Sequence, residues 1–153
     1  MTEIALTNFR IGQAAEVCGL SPMMIAYLVR QKIVIPSASQ YRRRGKRLLF
    51  SFQDLIAIRA VRALFEKGIS ATRLASEIRK LRRHLKRIDA SELAPDLRYL
   101  ATDGTKVYFW NRERDLYPAT STGQFAFAFV LDLAPIHAEM RERGLKIKAK
   151  PKS

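Results

Sequence analysis

The sequence predicts an α+β protein: a helical, strongly basic first half, then a small β-rich part closed by a helix. Three observations predict it. Up to about residue 90 the apolar residues recur at helical spacing. Beyond that they gather into short runs separated by Gly-containing turns. Charge divides at the same place: residues 1–90 hold 18 basic and 6 acidic side chains, a net of +12, whereas residues 91–145 hold 6 and 8. The expected organisation is a helical binding unit at 1–90, a β-rich interaction or dimerisation unit at 91–145, and a lysine-rich tail at 146–153 that is expected to be disordered.

Along the chain, Ile11 to Val17 reads as a short helix, ended by Gly19, which takes the left-handed conformation at low cost. Ser21 caps a second helix with Pro22 at its first position, running to about Arg30 with Ile25, Leu28 and Val29 inward. Helix, glycine turn and capped helix make a helix-turn-helix pattern. Ile33 to Pro36 closes this unit against the core. A hairpin comes next, with Ser39 to Arg42 and Leu48 to Phe50 as strands and Gly45 in its tip. Ser51, with Asp54 three residues on, starts the next helix as a capping box; Leu55, Ile58, Val61, Leu64 and Phe65 face inward and Gly68 ends it. Ser70 caps a longer helix to about Ile88. Leu74, Ile78, Leu81, Leu85 and Ile88 repeat at spacings of 4 and 3, a heptad seam expected to pack on a second subunit.

Past a connector at 89–95, Tyr99 to Thr102 and Lys106 to Asn111 flank Asp103-Gly104-Thr105 as a hairpin, and Tyr117 is placed at the start of a further strand. Gln124 to Leu131 reads as a strand with Phe125, Phe127 and Phe129 on one face. Pro135 starts a closing helix to about Arg143.

Several function classes are excluded by what is missing. No stretch reaches the ~20 uncharged apolar residues of a membrane span. No basic and apolar leader opens the chain, so no signal peptide is expected. The single cysteine, Cys18, makes neither an internal disulfide nor a cysteine-based zinc site, which fits the cytoplasm. His84 and His137 stand apart from other ligand types and are expected on the surface. No nucleophile–base set, phosphate-binding glycine loop or metal motif emerges, so neither an enzyme nor a cofactor is expected. The charge excess, +14 in all, points instead to a polyanion.

From Phe9 to about Leu85 the chain resembles the MerR-type winged helix-turn-helix. Phe9-Arg10-Ile11-Gly12-Gln13-Ala14-Ala15 matches the first helix, Gly19-Leu20-Ser21-Pro22 the turn and cap, and Tyr27 the tyrosine of the second helix. Ile33 and Pro36 match the approach to the wing, Tyr41-Arg42 through Arg47-Leu48-Leu49-Phe50-Ser51 the wing, Asp54-Leu55 the helix after it, and Gly68-Ile69-Ser70 the break before the fourth. The resemblance covers about half the chain. It implies a dimer joined by a C-terminal helix, with the second helix reading double-stranded DNA and the wing gripping its backbone. Three departures stand out: Met23 and Ala26 occupy places where the family often has arginine, no cysteines come after the fourth helix as in the family's metal sensors, and the C-terminal part is shorter than the family's drug-binding domains. That part resembles, more weakly, the C-terminal region of some toxin–antitoxin antitoxins, beyond their DNA-binding domain.

The expected DNA-facing residues are Arg10, Ser21, Met23, Met24, Ala26, Tyr27 and Arg30, with Tyr41, Arg42, Arg43, Arg44, Lys46 and Arg47 of the wing. Five basic residues in six positions suit phosphates and an adjacent minor groove, and apolar atoms of the second helix suit thymine methyl groups. Met24 fits core packing about equally well. Arg79, Arg82, Arg83 and Arg87 read either as an extension of the phosphate track or as a solvated face. Tyr108, Trp110, Phe125, Phe127 and Phe129 are expected to form a face for a protein partner or effector. Three functions remain open: a homodimeric transcription regulator, an antitoxin that binds its cognate toxin and represses its own operon, and an interaction adaptor without sequence-specific DNA binding.

Overall fold

The structure, a computed structural model, describes residues 5–38, 48–70, 73, 75–103, 106–110 and 129–150. Its helices are α1 (Ile11–Cys18), α2 (Pro22–Arg30), α3 (Phe52–Glu66), α4 (Ala75–Lys80), α5 (Arg82–Leu85) and α6 (Leu133–Ala149). Its strands are β1 (Tyr99–Thr102), β2 (Val107–Trp110) and β3 (Phe129–Asp132), preceded by a 3-10 turn at Pro95–Leu97.

The local signals act as the sequence implied. Gly19 ends α1 at φ +72°, and a Cβ there would run into the Arg62 guanidinium. Ser21 Oγ accepts from Met24 N at 3.1 Å to start α2. Ser51 and Asp54 form a reciprocal capping box at α3, Asp54 N donating to Ser51 Oγ at 3.2 Å and Ser51 N to Asp54 Oδ2 at 2.8 Å. Gly68, at φ +73°, stands past the end of α3.

The core lies where α1, α2 and α6 meet α3. Phe9, Phe50, Ile25, Leu28, Leu55, Ile58 and Met140 are fully enclosed in it. Phe9 and Phe50 also exchange two backbone hydrogen bonds, of 2.9 and 2.8 Å, which tie the strand leading out of the wing to the chain ahead of α1.

The fourth helical segment departs from expectation. The spacing predicts one long helix from Ser70 to Ile88; the described chain forms α4 and α5, broken at Leu81, whose N–H bonds back three residues to Ile78. The seam is not a free face either. Ile78, Leu81 and Ile88 are buried in this chain's own core and Leu85 is half-buried against it, while Leu74 lies outside the described residues. An apolar stripe must be covered, but its spacing does not say by what. Here α3 packs against α5, and Gln53 Nε2 of α3 donates to Ile88 O at 2.5 Å.

The sheet is antiparallel with β1 central, order β2-β1-β3. The predicted hairpin is present, Lys106 N donating to Asp103 Oδ1 at 2.8 Å. Register corrects the aromatic face. Tyr108 pairs with Ala101 and Phe129 with Thr102. Those are consecutive residues of β1, so positions 108 and 129 belong to opposite faces of the sheet. Phe125, Phe127 and Tyr117 lie outside the described residues, as do the side chains of Trp110 and Phe129.

The closing helix is longer than expected and folds back on the N-terminal unit. It starts at Leu133, capped by Asp132 (Oδ1 to Ala134 N, 3.0 Å), and continues to Ala149, so residues 146–149 are helical rather than part of a disordered tail. Leu133, Ile136, Met140, Gly144 and Ile147 form its buried stripe. Gly144, just past the expected end of the helix, sits mid-helix where α6 passes close to the N-terminal segment: a Cβ there would stand 3.1 Å from Leu6 Cδ2 and 3.3 Å from Phe9 Cζ. Lys148 Nζ donates to Asn8 O at 3.0 Å, and Lys150 pairs with Glu16 at 2.7 Å. His137 is buried, not superficial. Its Nε2 donates to Asp89 O at 2.6 Å, and its ring meets Phe52 edge-on at 5.3 Å.

Candidate nucleic-acid interface

The α2 helix is clamped on one side only. Ile25 and Leu28 are fully buried and Val29 is half-buried against the same core. Met23, Ala26, Tyr27 and Arg30 stand at i, i+3, i+4 and i+7, a single stripe opposite that core. Met23 is 82% exposed, the most exposed large apolar side chain among the described residues. Arg30 is exposed, whereas Ala26 and Tyr27 are half-buried, Tyr27 resting partly on the core. Met24 lies a third of a turn off the stripe and is half-buried, and its N–H is engaged by the cap. Ser21 spends its hydroxyl on that cap. Arg10 is exposed just ahead of α1, with its N–H bonded to Gln13 Oε1 at 2.9 Å.

The end of α1 is secured by basic groups. Arg62 Nη1 donates to Cys18 O at 3.0 Å and Arg143 Nη1 to Val17 O at 3.3 Å, so two guanidinium groups meet the negative end of α1. Behind them Cys18 Sγ faces Leu55 O at 3.5 Å and Met140 Sδ at 3.9 Å. Burial, opposed by the charge of Arg59, pushes this thiol from 9.0 up to about 12. Cys18 is therefore a core residue and stays protonated. Past α2 the chain turns through Lys32 at φ +58°, which brings Ile33 and Val34 back to the core.

The base of the wing is held by a polar cluster. Asp54 Oδ2 accepts from Ser37 N at 2.7 Å and from Ser51 N at 2.8 Å. Ser37 Oγ lies 2.6 Å from Ser51 Oγ and also donates to Asp54. Ala38 N donates to Leu49 O at 3.2 Å. Residues 37–38 and 49–51, which flank residues 39–47, are thus joined to each other. Desolvation raises the Asp54 carboxyl above its ordinary 3.8, against the lowering effect of the serine hydrogen bonds. The capping-box spacing reveals Ser51 and Asp54 in the sequence but not Ser37, whose role depends on a contact 17 residues away. Tyr41, Arg42, Arg43, Arg44, Lys46 and Arg47 lie outside the described residues.

Among the helix-four basics, Arg87 pairs with Asp96 at 3.1 Å and Arg79 reaches Lys32 O at 3.5 Å. Tyr108 is half-buried on the sheet. Among the described residues, no three His, Cys, Asp or Glu gather as a metal site, and no helix is long and apolar enough to cross a membrane.

A capped helix with an outward stripe, on the same core as the joined segments that flank residues 39–47, is the frame of a helix-turn-helix. Residues 9–85, half of the chain, match the model of the MerR HTH family of regulatory proteins. The chain belongs to that family. Relatives of this MerR-family chain include uncharacterized HTH-type transcriptional regulators of Mycobacterium bovis and of two strains of Mycobacterium tuberculosis. Each is 26% identical over 94% of this chain. The chain spans 65% of the length of these relatives.

Proposed function

We propose that this MerR-family chain acts as a homodimeric regulator of transcription, with α2 entering the major groove and the basic wing gripping the flanking phosphates. The observation that carries the reading is the stripe Met23, Ala26, Tyr27 and Arg30 turned away from the core on a helix fixed by its other side. Met23 and Ala26 offer apolar contacts for thymine methyl groups, Tyr27 and Arg30 offer polar ones, and exposed Arg10 ahead of α1 adds a further cation. The net +12 of residues 1–90 supplies attraction that does not depend on base sequence.

Fluorescence anisotropy against the DNA upstream of the gene and against a scrambled duplex, over a salt series, tests this. The expected result is a preference of roughly 100-fold or more for the upstream DNA, with a log–log salt slope of about −0.9 per phosphate neutralised. Equal, steeply salt-dependent binding to both duplexes refutes sequence-specific regulation. Light scattering on the free protein reads its oligomeric state.

A further inference from the structure

Between the root of the wing and the α4–α5 segment lies a cavity of about 330 Å³, within the roughly 300–1,000 Å³ typical of small-molecule sites. Its lining is mixed. Ile33, Ile78 and Leu85 supply apolar surface, and Arg79, Arg82 and Lys86 supply cations from the same α4–α5 segment as Ile78 and Leu85. Arg79 makes one long contact, 3.5 Å to Lys32 O. The side chains of Arg82 and Lys86 have no hydrogen-bond or ion-pair partner among the described residues. The carboxylate that lines the cavity, Asp54, is held by the backbone N–H groups of Ser37 and Ser51 at 2.7 and 2.8 Å, and three cations share the lining with it. Glu77 of α4 is paired with Lys80 at 2.9 Å. Apolar surface lined together with cations that lack an ion-pair partner among the described residues is complementary to one ligand type: an apolar body ending in a negative charge.

We propose that this cavity binds a small amphipathic carboxylate. Its alkyl or aryl body lies on Ile33, Ile78 and Leu85, and its carboxylate is held by Arg82 and Lys86. Arg82 is half-buried, which suits an arginine that rests its stem on apolar surface and offers its guanidinium to the ligand. Such a ligand would rest against Ser37 and Ser51, which root the wing, and against Arg79, which contacts the residue two past the end of α2. The site therefore adjoins both supports of the DNA-facing surface.

Octanoate titrated into the full chain, without DNA, is the test. It is followed by calorimetry and by methyl NMR of the Ile and Leu residues. Saturable binding is expected, with shifts centred on Ile33, Ile78 and Leu85. Octanol and octylamine, which keep the chain but lack the negative charge, should bind about tenfold more weakly or worse. Arg82→Gln with Lys86→Gln should lose a similar factor while keeping the wild-type melting temperature. The proposal is overturned if octanoate moves none of these methyls, if octanol binds as well, or if the double variant binds octanoate like the wild type. Should that variant fail to fold, the octanoate–octanol comparison on the wild type decides. None of these readouts involves DNA, so they stand apart from the outcome of the anisotropy experiment.

Discussion

Helix α3 and the α4–α5 segment read almost alike as sequence, yet the folded chain treats them differently. Each comes after a serine cap and carries apolar residues at helical spacing. The α3 helix runs unbroken for 15 residues, and nine of them are buried, because α1 lies on one side of it and α6 on another. Its companion breaks into helices of 6 and 4 residues, with Ile78 the single buried residue within them. The difference teaches that a periodic stripe fixes which side chains seek cover. How far the helix extends depends on how many neighbours supply it.

The largest contrast should appear in the chemistry of Cys18, which sits where α1, α3 and α6 meet. With its thiol pushed from 9.0 up to about 12, its thiolate population near pH 8 falls about a thousandfold, and alkylation of the native protein should slow accordingly. Rapid labelling by iodoacetamide without denaturant would mean that α6 does not cover this junction. The raised value also has a sign for stability: its contribution is present below about pH 9 and is lost as pH rises through the folded value.

Truncation should separate the two regions next. Met140→Ala, emptying a fully enclosed site under α6, should cost about 2–5 kcal/mol in urea unfolding. Leu85→Ala, at a half-buried position of α5, should cost roughly 1–2 kcal/mol, since only part of the side chain leaves water on folding. Equal losses would erase the distinction between an enclosed and a partly covered stripe.

The caps give a smaller effect in the same direction. Ser51→Ala removes the α3 cap and a hydrogen-bond partner of Ser37, and should cost about 1–2 kcal/mol. Ser70→Ala removes a single bond, to Arg73 N at 3.2 Å, and should cost about 0.5 kcal/mol.

The smallest effect is a slope. Because the Asp54 carboxyl is raised in the folded state, its contribution to stability is complete below its ordinary 3.8 and is lost as pH rises through the folded value. Asp54→Asn keeps an acceptor for the Ser37 and Ser51 N–H groups and removes the titration. Melting temperatures between pH 4 and 7 should therefore fall less with rising pH in the variant than in the wild type. Parallel curves would show that Asp54 does not carry this dependence.

Much of the N-terminal unit was legible because its signals are local. A serine just ahead of a helix, a proline at the first helical position and a glycine past the end act within one turn, whatever surrounds them. The ends of α1 and α2 and the start of α3 therefore fall where Gly19, Ser21, Pro22, Ser51 and Asp54 put them. The outward stripe of α2 was legible as well, since its inward partners Ile25 and Leu28 are apolar at fixed spacing. Ser37 was not, because its partners are brought to it by the wing's return. His137 was not, because a histidine's burial depends on a distant acceptor, here Asp89 O.

By itself, then, the sequence determined the α+β class, the helix-turn-helix frame with its caps, and the segregation of positive charge into the first 90 residues. These rest on contacts within a few residues or on composition. Only the tertiary structure decided that the heptad-like stripe of Ile78, Leu81 and Ile88 faces its own chain, and that α6 extends to Ala149 with Gly144 packed against Leu6 and Phe9. It also decided that positions 108 and 129 fall on opposite faces of the sheet. The physical reason is common to all three: an apolar residue is satisfied by any surface that excludes water, and which surface arrives is set by chain connectivity and strand register, neither of which is written in local spacing.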